Sequence, residues 1–509
     1  MSEESALPGG RRFSATQAGG FGLLLKEPPP LRVIASRPYY RWLVIGTVCV
    51  GAFMGQLDAS IVQLVLPVLE HDFGQRLAAI SWVSVAYMLA LAAFLPVFGR
   101  LADLYGRKFQ YAFGFLLFIL GSSLCGGASN LVELVGFRVL QAIGAALLQA
   151  NSIAIVVSAA GAQHRGRAIG LQGAAQAVGL SAGPAIGGFL ISALSWRWVF
   201  WINVPFGLLG AVCGWLVLPR TETVAKKRRF DGPGALLLAP AMTALILLIN
   251  RGQGWGLASL RFAACGAASL ILLLLFIRRE RRAPAPLLDL SLFRRHAFWA
   301  GNLAGMLSYA MLFGMFLLMP FVLERGYHED PLTAGLRLAV IPVALGLLSP
   351  TSGALYDRLG PRLLTVGGMT LSLGAFILIA LELNGQPKTV MPMMAALLLF
   401  GIGQGLFTSP NNSYVMAAAP ANRIGQGGGI LNVTRAFGTS LGVALASALL
   451  AWRLGVKAGH VGDTLNAAPQ ALLKAARDVI VMFAVLAVGA GALSAVRPQQ
   501  TGKGETPLL

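Results

Sequence analysis

The sequence GRLADLYGRK at residues 99–108 recurs as GALYDRLGPR at residues 353–362, and this repeat decides the architecture of the chain. A glycine, a leucine, an aspartate, a second glycine and a terminal cation align in the two copies at a constant offset of 254 residues. Each copy lies between two long apolar stretches, so the repeat predicts two homologous halves. In carriers, paired halves of this kind enclose a central site that opens to each side of a membrane in turn. A scaffold built by duplication is the alternative.

The composition is that of a protein embedded in a membrane. Of the 509 residues, 56% are hydrophobic and 12% are charged, and the mean hydropathy is +0.70. A soluble domain carries about 25% charged residues, so the composition excludes a soluble multidomain enzyme and a disordered chain. The apolar stretches are continuous and do not alternate with polar residues, which argues against a transmembrane β-barrel. An all-α polytopic membrane protein is the class that remains.

Fourteen apolar stretches approach or exceed the roughly 20 residues that a helix needs to cross a bilayer. They lie at residues 42–67, 80–99, 109–128, 132–158, 168–193, 199–218, 233–250, 258–277, 298–323, 335–356, 363–382, 390–416, 424–450 and 478–496. The stretches at 233–250 and 258–277 carry the weakest signal. We therefore expect a tail at 1–41, a six-helix bundle at 42–218, two inserted helices with basic loops at 219–297, a second six-helix bundle at 298–496 and a tail at 497–509.

Most basic residues occur in alternate connections between the predicted spans. The formal net charge is +20, from 40 Lys and Arg against 20 Asp and Glu, and runs such as 226–229 and 278–282 carry much of it. Cationic loops stay on the cytoplasmic side, so the pattern predicts a multi-pass inner-membrane protein with both termini in the cytoplasm. In a soluble chain the same charge would suggest nucleic acid, but here the loops account for it and no nucleic-acid partner is expected.

Asp58 is the acidic residue in the middle of a predicted span. Burying a carboxylate in a membrane costs several kcal/mol unless it is paired or protonated, so Asp58 is a candidate for proton exchange. A structural partner for a buried cation is the alternative. Asp58 lies 16 residues into the first span, about 24 Å at 1.5 Å per residue, and Arg138 in the fourth span lies at a similar depth.

Glu133, five residues before Arg138, is a second candidate proton carrier. An acid at the membrane interface is the alternative for this residue. At the offset of the repeat, the second-half equivalent of Asp58 is Leu312. The sequence therefore predicts that proton binding takes place in the first half, and that the second half serves mainly in substrate binding and gating.

Five motifs in order resemble those of the major facilitator superfamily, and in detail its fourteen-span drug:proton antiporter family, the EmrB/QacA subfamily. They are LDASIV (57–62) followed by Pro67, GRLADLYGRK (99–108), RVLQAIG (138–144), GLSAGPAIGG (179–188) and WRWVFWINVPFG (196–207). One departure is Ala142, where the family pattern has glycine. The resemblance implies the major facilitator fold, with 14 transmembrane helices as two six-helix bundles plus two inserted helices.

The resemblance also assigns roles to two groups of residues. A conformational latch is expected at Gly99, Asp103, Gly106, Arg107 and Lys108, with Asp357 and Arg362 in the second copy. A basic turn without a latch function is the alternative. The antiporter motif comprises Gly179, Gly183, Pro184, Gly187 and Gly188, for which helix packing alone is the alternative.

Polar and aromatic residues within the spans are candidates to line a substrate cavity. The primary set is Gln56, Gln63, Tyr87, Gln141, Asn151, Gln176, Tyr309, Asn411 and Asn432, and the wider set adds Gln149, Gln172, Asn302, Phe313, Gln404, Phe407, Asn412 and Arg435. Hydrogen bonding between helices or packing in the core is the alternative for each.

The sequence contains no phosphate-binding Walker loop, no cluster of metal ligands and no Ser-His-Asp arrangement, so we expect no enzyme, no metal and no cofactor. Energy for transport would then come from an ion gradient, with the proton as coupling ion. The predicted function is a proton-coupled antiporter that exports lipophilic, cationic drugs or toxic compounds by alternating access. The expected partners are the lipid bilayer, small-molecule substrates and, by family resemblance, a periplasmic adaptor.

Two alternatives stay open. One is a dedicated exporter of an endogenous metabolite, siderophore or lipid. The other is a membrane sensor or scaffold that does not transport.

Overall fold

The computed structural model describes residues 27, 29–220, 232–255, 259–283, 290–419, 424–458 and 467–497, and all regular structure in these ranges is helical. Helices dominate because a membrane-spanning segment must satisfy its backbone hydrogen bonds internally. We number the fourteen long helices in chain order. They are α1 (Tyr40–Phe73), α2 (Leu77–Gly99), α3 (Arg107–Gly127), α4 (Leu131–Gly161), α5 (Leu171–Ala193), α6 (Trp198–Val217), α7 (Gly232–Trp255), α8 (Leu260–Arg282), α9 (His296–Gly326), α10 (Pro331–Gly353), α11 (Arg358–Glu382), α12 (Val390–Ala417), α13 (Gly427–Gly455) and α14 (Pro469–Ala495).

In the described ranges, thirteen of these helices are long and apolar enough to cross a membrane, which confirms an all-α polytopic protein. The remaining helix, α7, has 24 residues, and its apolar part covers Gly232–Leu245 within the described residues. The other differences lie at helix ends. For example, α14 begins at Pro469, nine residues before the predicted apolar stretch, because proline is favoured in the first turn of a helix and polar residues extend the helix beyond its apolar part.

The two copies of the repeat share an unusual backbone turn. Gly106 has φ +101° and Gly360 has φ +74°, and both lie at the same position in the repeat. Residues with a side chain rarely adopt this left-handed conformation, whereas glycine adopts it readily. Between α2 and α3 the turn separates two helices, and between α10 and α11 it joins two helices into one kinked stretch from Val340 to Glu382.

The helices pack in two groups that touch along three lines. In the first group α1 packs on the continuous α4–α5 stretch and on α6, and α3 packs on α4 and α6. In the second group α9 packs on α13 and α14, and the α10–α11 stretch packs on α12. Contacts between the groups join α2 to α13, α5 to α10 and α1 to α9.

The inserted helices lie beside one of these contact lines. α7 packs on α8 and also touches both α2 and α13. Apolar side chains of α8, including Leu270, Ile271 and Leu274, are exposed on the protein surface. An exposed apolar face of this kind suits contact with lipid.

The end of the bundle opposite the described chain termini, which we call the distal end, is closed by contacts between the groups. Arg325 Nη1 on α9 lies 2.7 Å from Glu70 Oε2 on α1, and its Nη2 donates to the Pro67 carbonyl at 3.0 Å. A methyl group added at Gly335 on α10 would overlap the carbonyl oxygen of Pro184 on α5. These helices therefore approach each other down to backbone contact.

Candidate functional site

Asp58 and Arg138 form an ion pair in the interior of the first group of helices. Asp58 Oδ2 lies 2.8 Å from Arg138 Nη1. The side chains are 0% and 1% exposed. A buried pair is held in place by the large cost of leaving either charge without a partner. The sequence predicts that the two residues lie at a similar depth in the membrane, and in the structure they are also in direct contact.

Three further polar side chains complete the hydrogen bonds of this pair. Asp58 Oδ1 accepts from Gln141 Nε2 at 2.8 Å and from Asn203 Nδ2 at 3.0 Å. The same two nitrogens donate to Ser122 Oγ at 3.1 Å each, and the Ser122 hydroxyl donates to the Phe200 carbonyl at 2.8 Å. We call Asp58, Arg138, Gln141, Asn203 and Ser122 the Asp58 cluster.

Arg138 is fixed on several sides. Its Nη1 also donates to Gln141 Oε1 at 2.7 Å, and its Nε donates to the Val83 carbonyl at 3.1 Å. The guanidinium carbon lies 3.9 Å from the ring centroid of Tyr87, a distance at which a cation is attracted to an aromatic face. Tyr87 and Gln141, which the sequence assigned to a substrate cavity, thus lie against the ion pair.

Glycines let the surrounding helices approach closely enough to form the cluster. A Cβ at Gly121 on α3 would lie 2.5 Å from the backbone nitrogen of Gln141 on α4. Gly121 therefore allows α3 to approach α4 closely at Gln141, the residue before Ala142. Gly179 and Gly183 of the antiporter motif similarly abut the α1 backbone near Phe53 and the side chain of Ser60.

Two other glycines of the antiporter motif contact different helices. Gly187 packs against Ile61 on α1, whereas Gly188 faces the backbone of Pro331 and Leu332 at the start of α10. The motif therefore touches both the helix that carries Asp58 and a helix of the second group.

Glu133, the second candidate proton carrier, lies apart from the Asp58 cluster in an exposed first turn of α4. Its Oε2 accepts from the Ser129 backbone at 2.9 Å, its Oε1 accepts from Asn130 Nδ2 at 2.8 Å, and its own backbone N–H donates to Asn130 Oδ1. This reciprocal arrangement caps the helix.

A polar pocket lies between α1, α3, α4 and α5. It is small, opens partly to the outside, and is lined by Gly51, Ala52, Gln56, Tyr111, Leu148, Gln149, Ser152, Gln172 and Gln176. Gln56 and Gln176 belong to the primary predicted cavity set, and Gln149 and Gln172 to the wider set. We call this cavity the glutamine pocket.

The remaining predicted cavity residues lie elsewhere. Gln63 is fully buried and its amide makes no hydrogen bond to the described residues. Asn151 donates to the Leu147 carbonyl at 2.8 Å. The Tyr309 ring lies 5.3 Å from the guanidinium of Arg435, and Asn432 is half-buried on α13.

Asn411 is part of a contact that includes the predicted C-terminal tail. Its Nδ2 donates to the Gly301 carbonyl at 3.1 Å, and its Oδ1 accepts from Arg497 Nη2 at 2.5 Å. Arg497 is 1% exposed and lies 4.7 Å from the Tyr414 ring. The sequence places Arg497 in a tail, but its side chain packs between the ends of α12 and α9.

The predicted latch is described in part. The side chains of Asp103 and Asp357 lie outside the described residues. Gly99 is close to Ala150 on α4, Arg107 is half-buried, Lys108 is 1% exposed and Arg362 is exposed.

An unexpected residue contacts the first copy of the repeat. Glu27 is 6% exposed, and its Oε1 accepts from the Phe109 backbone N–H at 3.2 Å in the first turn of α3. A Cβ at Gly106 would overlap the Glu27 carboxylate. Carboxylates are favoured at this end of a helix, but an acid in a proline-rich tail gives no sequence signal for such a contact.

Charged groups also cluster at the distal end, away from the Asp58 cluster. Burial raises the pKa of Glu329, against the opposing effect of its ion pair with Arg337. No group of three or more His, Cys, Asp or Glu within the described ranges has the arrangement of a metal site.

Comparison with known proteins identifies the family. A sequence model of the Major Facilitator Superfamily matches residues 48–443. The riboflavin transporter RibZ of Clostridioides difficile is 34% identical over 414 residues, covering 81% of this chain and 89% of that protein. The multidrug resistance protein Stp of Mycobacterium tuberculosis is 34% identical over 407 residues, covering 79% and 74%. The tetracenomycin C resistance and export protein of Streptomyces glaucescens is 30% identical over 429 residues, covering 84% and 78%.

A solved structure shows the same fold. It is a bacterial homologue of the human lysosomal transporter Spinster in an inward-facing, unoccupied conformation, with a TM-score of 0.65 at 16% identity, covering 91% of this chain and 97% of that chain. The chain therefore belongs to the major facilitator superfamily, and its relatives confirm the predicted drug-efflux family. It is a multi-pass membrane protein of a transporter family.

Proposed function

We propose that this member of the major facilitator superfamily is a proton-coupled antiporter that exports lipophilic, drug-like compounds by alternating access. The observation that carries the proposal is the ion pair of Asp58 and Arg138, with both side chains at most 1% exposed. A carboxylate held in the interior of a membrane protein marks an ion or proton pathway more often than a structural contact.

Protonation of Asp58 would change the cluster in a defined way. A neutral carboxyl group loses most of its attraction to Arg138, and its new O–H group needs an acceptor. Asn203 Oδ1 has no hydrogen-bond partner among the described residues, so rotation of its amide would supply that acceptor. The uptake of one proton would thus exchange an ion pair for a neutral hydrogen bond.

The antiporter motif connects this change to the second group of helices. Gly179 and Gly183 pack on α1 beside Asp58, and Gly188 and Pro184 pack on α10. Cores packed this closely shift between discrete arrangements and do not deform smoothly. A movement of α1 would therefore be passed through α5 to α10, and opening of the distal end would follow.

We place the protein in the inner membrane with both termini in the cytoplasm. Arg107, Lys108 and the run 278–282 all lie at the end of the bundle that holds the described chain termini. Basic residues favour the cytoplasmic side. The distal end, with Glu70 and Arg325, then faces outward.

The relatives' names support drug-like substrates, because one concerns multidrug resistance, one concerns resistance to and export of tetracenomycin C, and one concerns riboflavin. The sequence predicts cationic substrates, but none of the described residues that line the glutamine pocket carries a carboxylate to bind a positive charge. The proposal therefore requires a lipophilic compound but not a positive charge. A dedicated metabolite exporter is the second candidate, and it is favoured by the riboflavin transporter among the relatives.

The test is transport in inverted membrane vesicles with a pH gradient. Ethidium and riboflavin serve as substrates, and nigericin collapses the gradient. Asp58→Asn is expected to abolish gradient-dependent uptake at wild-type abundance. Asp478→Asn is the matched control, since Asp478 also pairs with an arginine, Arg453, but is 30% exposed and lies outside the cluster.

Uptake by Asp58→Asn at the wild-type rate would contradict the role of Asp58. Uptake by the wild-type protein that is insensitive to nigericin would contradict proton coupling itself.

A further inference from the structure

Arg138 has two kinds of partner, and they lie on different helices. Among the described residues, Asp58 on α1 is its charged partner and accepts from Nη1 at 2.8 Å. The uncharged partners include Gln141, whose Oε1 accepts from the same Nη1 at 2.7 Å, and the Val83 carbonyl, which accepts from Nε at 3.1 Å. The Tyr87 ring centroid lies 3.9 Å from the guanidinium carbon. These three uncharged partners belong to α2 and α4.

Protonation of Asp58 removes the anion but leaves Arg138 buried, since its side chain is 1% exposed. A buried cation without an anion is costly, and the guanidinium group stays charged because arginine does not release its proton in proteins. The protonated state of Asp58 is therefore populated only as far as the remaining partners stabilise the cation. The uncharged partners of Arg138 thus help to set how readily Asp58 takes up a proton.

Tyr87 is the partner whose contribution depends most on the charge of Asp58. Its side chain is fully buried, and the attraction between a cation and an aromatic face is larger in a desolvated site than on a surface. An ion pair presents a weaker electric field to the ring than a lone cation does. The ring therefore stabilises Arg138 more strongly when Asp58 is neutral.

The other groups around the ion pair leave this role to Tyr87. Within the described residues, the titratable side chains that act on the pair are Tyr87 on α2 and Cys125 on α3. From α6 the pair meets the uncharged amide of Asn203 and the ring of Phe200, whose centroid lies 5.8 Å from the Arg138 guanidinium carbon. From α5 the helix that carries Asp58 meets glycines of the antiporter motif. Tyr87 is thus the aromatic ring in close contact with the cation.

From these contacts we propose that Tyr87 is a positioning residue for proton binding, whose ring holds the Arg138 guanidinium against α2 and α4 when Asp58 is protonated and so favours proton uptake by Asp58. The inference rests on the proposed role of Asp58 in proton coupling and adds a residue that acts on Asp58 through Arg138. Arg138 then stays with α2 and α4, and α1 is the helix that protonation releases.

The test follows the protonation of Asp58 by infrared spectroscopy of the purified full-length protein in detergent, at a series of pH values and without a gradient. The protonated carboxyl band that the wild type shows and Asp58→Asn lacks gives the pH midpoint. Tyr87→Leu is expected to lower this midpoint by about one pH unit, a tenfold loss of proton affinity, because the cation loses its ring.

Two further replacements at this position separate the effect of the ring from its shape. Tyr87→Phe keeps the ring and should titrate at the wild-type midpoint, since the Tyr87 hydroxyl makes no hydrogen bond to the described residues. Pentafluorophenylalanine in place of Tyr87 fills nearly the same space, but its fluorines withdraw electron density from the ring face that attracts the cation. It should lower the midpoint as Tyr87→Leu does, whereas a role in packing alone would leave the midpoint unchanged.

Tyr414→Leu is the matched control. Tyr414 is a buried tyrosine whose ring centroid lies 4.7 Å from the guanidinium carbon of Arg497, in the second group of helices. Its removal takes a ring from a buried arginine that does not pair with Asp58, so the midpoint should stay at the wild-type value.

An unchanged midpoint in Tyr87→Leu, an equal shift in Tyr87→Phe, or a wild-type midpoint with the fluorinated residue would each overturn the proposal. So would the absence of a carboxyl band that depends on Asp58. The titration needs neither a gradient nor a substrate, whereas proton coupling is judged from nigericin-sensitive uptake. A shifted midpoint with nigericin-insensitive uptake would contradict the proposed function alone, and an unchanged midpoint with nigericin-sensitive uptake would contradict this inference alone.

Discussion

Arg325 on α9 and Glu70 on α1 are paired at 2.7 Å across the distal contact between the two groups of helices, 255 positions apart in the chain. Glu70 is fully buried, and Arg325 is 21% exposed. The pair therefore joins the groups at the end that must separate when the distal side opens. Arg325 also donates to the carbonyl of Pro67, which lies on the same turn of α1 as Glu70.

Arg325→Gln is expected to favour opening of the distal end, because a buried carboxylate that loses its cation gains by reaching water. Labelling of a cysteine placed at Ala334, which is buried on α10, should become about tenfold faster, equivalent to about 1.4 kcal/mol. The reagent is a membrane-impermeant maleimide.

Arg337→Gln is the control for this experiment. Arg337 forms an ion pair with Glu329 at the same end, but both residues belong to the second group. The labelling rate should stay at the wild-type value. Equal acceleration in the two variants would show that the Glu70 pair does not hold the groups together.

The Asp58 cluster makes a prediction about stability. Arg138→Gln leaves Asp58 buried without its cation and should lower the free energy of unfolding by about 3–5 kcal/mol. Adding Asp58→Asn removes the uncompensated charge and should recover part of this loss. Thermal unfolding in detergent measures both. Purely additive losses would mean that the two side chains do not interact in the membrane protein.

The contact of α5 with α10 can be tested with a single methyl group. Gly335→Ala forces overlap with the Pro184 carbonyl and should destabilise the closed distal end by about 1–3 kcal/mol. Cysteine labelling at Ala334 does not suit this variant, because Ala334 is next to the substituted residue. The measurement is instead the distance between spin labels at the distal ends of α5 and α10, which should increase.

Gly136→Ala on α4 provides the comparison, since nothing lies within 4 Å of an added Cβ there. It should leave the distances unchanged and stabilise its helix slightly, because alanine is the better helix former. A longer distance in this variant would mean that the shift reflects the loss of glycine and not the overlap.

The N-terminal contact predicts a local effect. Glu27→Ala removes the acceptor for the Phe109 N–H in the first turn of α3, a loss of about 0.5–2 kcal/mol for a helix cap. Hydrogen exchange of the amides at 107–111 should accelerate accordingly. Ser36→Ala, at an exposed serine of the same segment, should leave this exchange unchanged. Slow exchange in Glu27→Ala would indicate that other groups hold the turn.

The sequence predicted what depends on local patterns. Continuous apolar stretches located the helices, and the repeat at 99–108 and 353–362 located two turns with the same left-handed glycine. Because the rise per residue of a helix is constant, counting residues along each span predicted that Asp58 and Arg138 lie at a similar depth in the membrane.

What the sequence did not predict depends on how distant segments meet. Ser122 is a serine in an apolar helix, and its bonds to Gln141 and Asn203 exist only because α3, α4 and α6 converge. Glu70 and Arg325 each look like ordinary charges at the end of a span.

The position of α7 makes the two sides of the transporter unequal. It touches both α2 and α13, so it covers the seam where these helices meet, and among the described helices no counterpart covers the seam of α5 and α10. The seam of α2 and α13 is therefore bordered by a helix that belongs to neither half of the repeat. The two seams between the groups thus differ, although the two halves that form them are related by a repeat.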